Sequence, residues 1–162
     1  MFTNVCAMLS KALLWLAVIL LIAVVLCVQW QVIGRYVYND TPTWAESLAL
    51  LLVLYVTAFG AAVGVRDGNH VGFETLVQML PPGLQKGVEI LAFALVALFG
   101  LLMAYAGWEW SVAKWNEVKP MLGVPDAVDY IPLVITGLLI ALFSVEHIVA
   151  KITGKPIKPA WH

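Results

Sequence analysis

The sequence predicts an all-α membrane protein with four transmembrane helices, and three observations carry that prediction. Hydrophobic residues make up 62% of the 162-residue chain and charged residues 12%. The mean hydropathy is +0.93. The apolar residues gather into four runs, each close to the roughly 20 residues that a helix needs to cross a bilayer core of about 30 Å. Such a chain cannot cover its apolar surface in water, which excludes an ordinary soluble domain. Backbone N–H and C=O groups cannot stay unpaired in lipid, so leucine-rich runs of this length must be helices and not barrel strands. The length fits a single membrane domain over 1–162 with no added soluble one. A net charge of −1 offers no footprint for nucleic acid.

The first run covers about 12–34. Lys11 precedes it as in a secretory signal, but the apolar stretch continues unbroken to Val28 and lacks an A-x-A site. Leu26 is too large for the residue before a lipoprotein cysteine, so an uncleaved helix is expected. Cys6 and Cys27 stand in neither a C-x-x-C nor a metal-ligand spacing, and no redox or metal role is assigned to them.

The second run covers about 48–65. The turn sequence Asn39-Asp40-Thr41-Pro42-Thr43 precedes it, with Thr41 and Thr43 as expected caps. Trp44 and Glu46 open the helix, the carboxylate in the first turn where the helix dipole favours an anion. Near the other end, Gly60 and Gly64 form G-x-x-x-G with Ala61 and Ala62 beside them. Such a face lets helices approach closely in lipid, within one chain or between chains. Arg66 and His70 are four apart and share a face if the helix persists. Arg66 at a helix C-terminus complements the dipole and can reach lipid phosphates, while Gly68 in Asp67-Gly68-Asn69 suits a left-handed helix end.

Between the second and third runs, Val71, Phe73, Leu76, Val77 and Leu80 are spaced as one face of a short amphipathic helix at the membrane interface, stopped by Pro81-Pro82-Gly83. The third run, about 90–108, carries Ala97, Gly100, Ala104 and Gly107 as a small-residue stripe. The fourth, about 130–150, is interrupted late by Glu146 and His147, which predicts that its end lies near water.

Orientation follows from the cations of the short connections. With both termini cytoplasmic, Lys11, Arg66, Lys86, Lys151, Lys155 and Lys158 lie inside, against Arg35, Lys114 and Lys119 outside. Trp30, Trp44, Trp108, Trp110 and Trp115 then gather at the outer interface, where amphipathic rings favour the headgroup layer.

The apolar cores of the four runs contain no Asp, Glu, Lys, Arg or His. Intramembrane charges mark ion paths and proton relays, so their absence counts against a self-sufficient transport site. A proton-coupled four-helix exporter would need a carboxylate in the first span. A haem-carrying cytochrome would need paired axial histidines within the bundle, whereas His70, His147 and His162 all lie at or beyond its edge. A thiol oxidoreductase would need cysteine pairs. Neither an enzymatic role nor a cofactor is expected.

Trp44-Ala45-Glu46 at the entry of the second span, the run from Gly60-Ala61-Ala62-Val63-Gly64-Val65 through Arg66-Asp67-Gly68-Asn69-His70-Val71, and Leu80-Pro81 before the third span resemble the small membrane subunit of tripartite ATP-independent periplasmic (TRAP) transporters. The specific part of the likeness lies within 44–81. The resemblance implies a multi-pass subunit of a bacterial inner membrane that works with a large multi-span membrane subunit and a periplasmic substrate-binding protein. It implies sodium-coupled uptake of an organic acid such as a dicarboxylate or a sialic acid, with substrate and sodium held by the large subunit and this chain as a scaffold in contact with membrane lipids. Trp44, Glu46, Gly60, Ala61, Gly64, Arg66, Gly68 and His70 are then structural or interfacial residues. Two other readings stay open from the residues. One is a self-contained homo-oligomeric transporter using Gln29, Gln31, Thr57, Thr136 or Ser144; the other is a membrane anchor for an enzyme complex.

Overall fold

The computed structural model of the protein describes residues 2–40, 42–67, 77 and 79–153. Four long helices account for most of them: α1 (Phe2–Val37), α2 (Thr43–Arg66), α3 (Pro82–Ala113) and α4 (Ile131–Thr153), with a single 3-10 turn at Asp126–Asp129 leading into α4. All four are long and apolar enough to cross a membrane. The predicted amphipathic helix falls almost wholly on residues outside those described.

Each hydrophobic run lies almost entirely inside one helix, but α1 and α3 reach well beyond theirs. At about 1.5 Å per residue, their 36 and 32 residues extend roughly 54 and 48 Å, against a hydrocarbon core of about 30 Å. Hydropathy registers only the lipid-facing length. The mixed flank Thr3 to Lys11 and the polar flank Gln85 to Glu89 keep a helical backbone because no proline interrupts them.

α1 ends where the chain folds back across Gly34. The N–H groups of Tyr38 and Asp40 both donate to the Gly34 carbonyl, at 3.2 and 3.1 Å. Asn39 takes a left-handed conformation with φ 51°, which asparagine tolerates better than most residues. A Cβ on Gly34 would stand 2.9 Å from the Asp40 carbonyl oxygen and from Pro42 Cδ, so only glycine permits this approach. Pro42 occupies the N-cap of α2 without a side-chain hydrogen bond, and Thr43 is already helical. The expected threonine cap at Thr43 is therefore replaced by a proline entry, whose fixed φ suits a helix start; Thr41 lies outside the described residues.

The helices pack in the order α1, α2, α4, α3. α3 lies along α4, α4 on α2 and α2 on α1, while α1 only grazes α4. The arrangement is an open row and not a bundle closed about one axis, so α4 is central and α1 is an edge: 39% of the most apolar window of α4 is buried, against 6% of that of α1. The α3–α4 contact is backbone on backbone. A Cβ on Gly100 would come within 2.7 Å of the Gly137 carbonyl oxygen, one on Gly137 within 2.6 Å of the Ala104 nitrogen, and one on Gly107 within 2.9 Å of Leu133 Cβ. The small-residue stripe of the third span thus faces α4.

Candidate functional site

At the end of the row where α1 begins and α4 finishes, a polar cluster joins α2, α3 and α4. Arg66 is the last residue of α2, where its charge complements the C-terminal end of the helix dipole. Its Nε donates to Glu146 Oε2 at 3.1 Å, and its Nη2 reaches Oε1 at 3.5 Å, a forked pairing across two helices. Arg66 Nη1 also lies 3.6 Å from Asp67 Oδ1. Arg66 is 0% exposed and Glu146 1%. Beside them His147 Nε2 donates to the Arg66 carbonyl at 2.7 Å, satisfying a helix-end carbonyl from a neighbouring helix. The face of its ring stacks on Phe93 of α3, with centroids 4.3 Å apart. Lys151 on α4 adds a 2.7 Å ion pair to Glu89 on α3. Cys6 and Ser10 of α1 are buried, Cys6 in the same apolar cluster as Ala62 of α2 and Phe143 of α4.

Arg66, read from the sequence as a group reaching lipid phosphates, is turned inward instead. Glu146 and His147, read as marks of a span end in water, are buried in protein. Their signal was present in the sequence as two ionisable residues interrupting an apolar run. What was missing was the partner, 80 residues away.

The remaining predicted residues divide between two further places. Trp44 and Glu46 stand at the opposite end of α2, about 30 Å from Arg66 at 1.5 Å per residue, and both are exposed. Gly60 and Ala61 are exposed, and a Cβ on either Gly60 or Gly64 would meet nothing within 4 Å. This face of α2 has no neighbour among the described residues. Gly68 and His70 lie outside the described residues. Of the polar residues considered for a self-contained transporter, Thr57 donates to the Val53 carbonyl of its own helix at 2.8 Å, while Thr136 and Ser144 are buried within α4 packing.

At the opposite end of the row, residues 114–129 fold into a braced knuckle. Val118 and Pro125 form an antiparallel bridge. Lys119 N donates to Val124 O at 2.9 Å and Asp126 N to Glu117 O at 2.8 Å. Gly123 closes the turn with φ 65°, a left-handed conformation that glycine adopts without strain. Lys119 Nζ pairs with Asp129 at 2.7 Å and Asp126 at 3.5 Å, and Lys114 with Glu117 at 2.6 Å. The hydrogen bond to Asp129 is the main reason the Lys119 ammonium is held above its ordinary pKa; that to Glu117 does the same for Lys114. Tyr55 of α2 donates to the Val128 carbonyl at 3.0 Å and ties the knuckle to the row. Among the described residues, no group of three or more His, Cys, Asp or Glu could hold a metal ion.

Comparison with known proteins adds a family. Residues 24–154 match the profile described as the DctQ component of tripartite ATP-independent periplasmic transporters. A Haemophilus influenzae protein provisionally named a TRAP transporter small permease protein is 23% identical over 152 residues, covering 94% of each chain. The C4-dicarboxylate TRAP transporter small permease protein DctQ of Vibrio cholerae is 27% identical over 106 residues, 62% of this chain and 45% of that one. The sialic acid TRAP transporter permease protein SiaT of Haemophilus influenzae is 34% identical over 89 residues, 52% of this chain and 14% of the longer protein.

Proposed function

This chain belongs to the DctQ family, the small permease component of TRAP transporters, and from that premise we propose that it is the fixed scaffold of a sodium-coupled uptake system for an organic acid. The large permease carries substrate and sodium, a periplasmic binding protein delivers the substrate, and this chain holds the large permease in place. In this reading both termini are cytoplasmic, the knuckle and Trp44 face the periplasm, and a short helix between α2 and α3 lies along the inner surface.

The observation that carries the scaffold role is the disposition of charge. The buried charges Arg66 and Glu146 are compensated within the chain, at the end of the row, and the mid-span faces hold packing residues. A chain so arranged offers no charged relay through the bilayer. The outward face of α2 at Gly60, Ala61 and Gly64, without a neighbour among the described residues, suits a helix of the large permease. The SiaT match, confined to 14% of a much longer permease, supports a small part working beside a large one. Relatives named for C4-dicarboxylate and sialic acid support a carboxylate substrate.

The test is reconstitution. This chain alone in liposomes, supplied with the binding protein and a sodium gradient, should transport nothing, and adding the large permease should restore uptake. Uptake by this chain alone would overturn the scaffold role.

A further inference from the structure

We propose that a groove between α2 and the knuckle holds one membrane phospholipid with a zwitterionic, ammonium-bearing headgroup of the phosphatidylethanolamine class. The groove measures about 530 Å³, within the roughly 300–1,000 Å³ of small-molecule sites. One wall is α2, where Leu50, Leu51 and Leu54 follow one side of the helix at three- and four-residue steps. The other is the knuckle, which contributes Pro120 and Met121 and, at the rim, Lys119, Asp126 and Asp129.

The backbone sets the depth of each wall. Residues 114–125 are not helical, and a lipid-exposed irregular loop does not occur within the hydrocarbon core, so the knuckle stands at headgroup level. From there α2 runs inward. Ser47 lines the upper part of the groove, and Leu54 lies roughly 10 Å further along the helix at about 1.5 Å per residue. The groove therefore passes from charge to leucine along the same direction in which a phospholipid passes from headgroup to acyl chain. This gradient is the same whichever side of the membrane the knuckle faces, so the site depends neither on the scaffold reading nor on the orientation.

Charge selects the headgroup. Lys119 Nζ lies 2.7 Å from Asp129 Oδ2 and 3.5 Å from Asp126 Oδ1, and all three side chains are only partly buried. One ammonium set between two carboxylates leaves a formal charge of −1. An ethanolamine ammonium brings N–H donors to those carboxylates, and the phosphate beside it meets Lys119. An anionic headgroup offers the phosphate alone and is opposed by the surplus carboxylate.

The experiment uses this chain co-purified with its large permease in neutral detergent, stripped of lipid and titrated with phosphatidylethanolamine or phosphatidylglycerol of identical acyl chains, with bound lipid counted by native mass spectrometry. At low ionic strength the unaltered complex should bind phosphatidylethanolamine severalfold more tightly. Asp126→Asn removes the surplus charge and leaves Lys119 its closer partner Asp129, so the knuckle stays braced and most of that preference should disappear. Glu117→Gln removes a charge from the knuckle outside the groove and should leave the preference as it was. Leu54→Trp fills the apolar part of the groove and should weaken both lipids severalfold. Equal binding of the two lipids by the unaltered complex, a preference that survives Asp126→Asn, or affinities untouched by Leu54→Trp overturns the site. Loss of the large permease on Leu54→Trp also overturns it, and assigns the groove to a helix of that subunit.

Discussion

Glu146 and Arg66 illustrate what a single side chain does when its partner is distant in sequence. Removing one member of a buried pair leaves an uncompensated charge, at a cost of about 3–5 kcal/mol, whereas replacing both with apolar groups is often close to neutral. Glu146→Gln should therefore lower the thermal unfolding midpoint in detergent markedly, and Arg66→Met combined with Glu146→Leu and Asp67→Asn, which also removes the second carboxylate that Arg66 faces, should recover much of the loss. An equal loss in the single and combined variants would show that the pairing contributes little. Lys119 gives a test in pH. Its folded-state pKa is raised above the usual 10.5, so the stabilisation of the knuckle is complete below pH 10.5 and lost as pH rises through the higher folded value. The difference in tryptophan fluorescence between the unaltered protein and Lys119→Met, in which tyrosine ionisation at about pH 10 cancels, should accordingly stay constant from neutral pH to about that point and change above it. Trp44 and Glu46 were legible as an exposed helix entry from their position after a turn. The inward role of Arg66 was not, because a C-terminal arginine reads the same whether it faces lipid phosphate or a carboxylate on another helix.

Helix pairs show the same division between what a pattern says and what it leaves open. The glycines of α2, Gly60 and Gly64 four apart, and those of α3, Gly100 and Gly107 seven apart, each line one face of their helix, yet the structure uses them oppositely. Gly100, Gly107 and Gly137 hold α3 and α4 at backbone contact, while Gly60 and Gly64 meet nothing within the chain. Gly137→Leu should push α3 from α4 and destabilise the isolated subunit, since the added side chain would strike the Gly100 carbonyl and the Ala104 backbone. Gly60→Leu should leave the melting temperature of the isolated subunit nearly unchanged and reduce recovery of the large permease in co-purification. A destabilised Gly60→Leu subunit would place that face inside the chain's own packing. Periodicity identifies which face of a helix is small; it contains no information on which helix lies opposite.

For the whole molecule, the open row leaves α1 and α3 as edges with broad apolar faces and sets the polar cluster and the knuckle at opposite ends. The proposed orientation makes those ends chemically distinguishable. A cysteine introduced at Asn116 of the knuckle, in a chain lacking Cys6 and Cys27, should react with a membrane-impermeant maleimide in intact cells, and one at Lys86 should react only after lysis. The reverse pattern would invert the topology. Four spans, their approximate limits and the membrane setting were determined by the sequence itself, because hydropathy and length are local quantities that each segment carries alone. The family was legible too, from residues within 44–81. The order α1, α2, α4, α3, the pairing of Arg66 with Glu146, the His147 bridge between α2 and α3, and the outward aim of Gly60 and Gly64 were decided only by tertiary structure. Each depends on which surfaces meet across dozens of residues, and in lipid, where neighbouring helices and acyl chains are equally apolar, only close packing and polar pairing settle that choice.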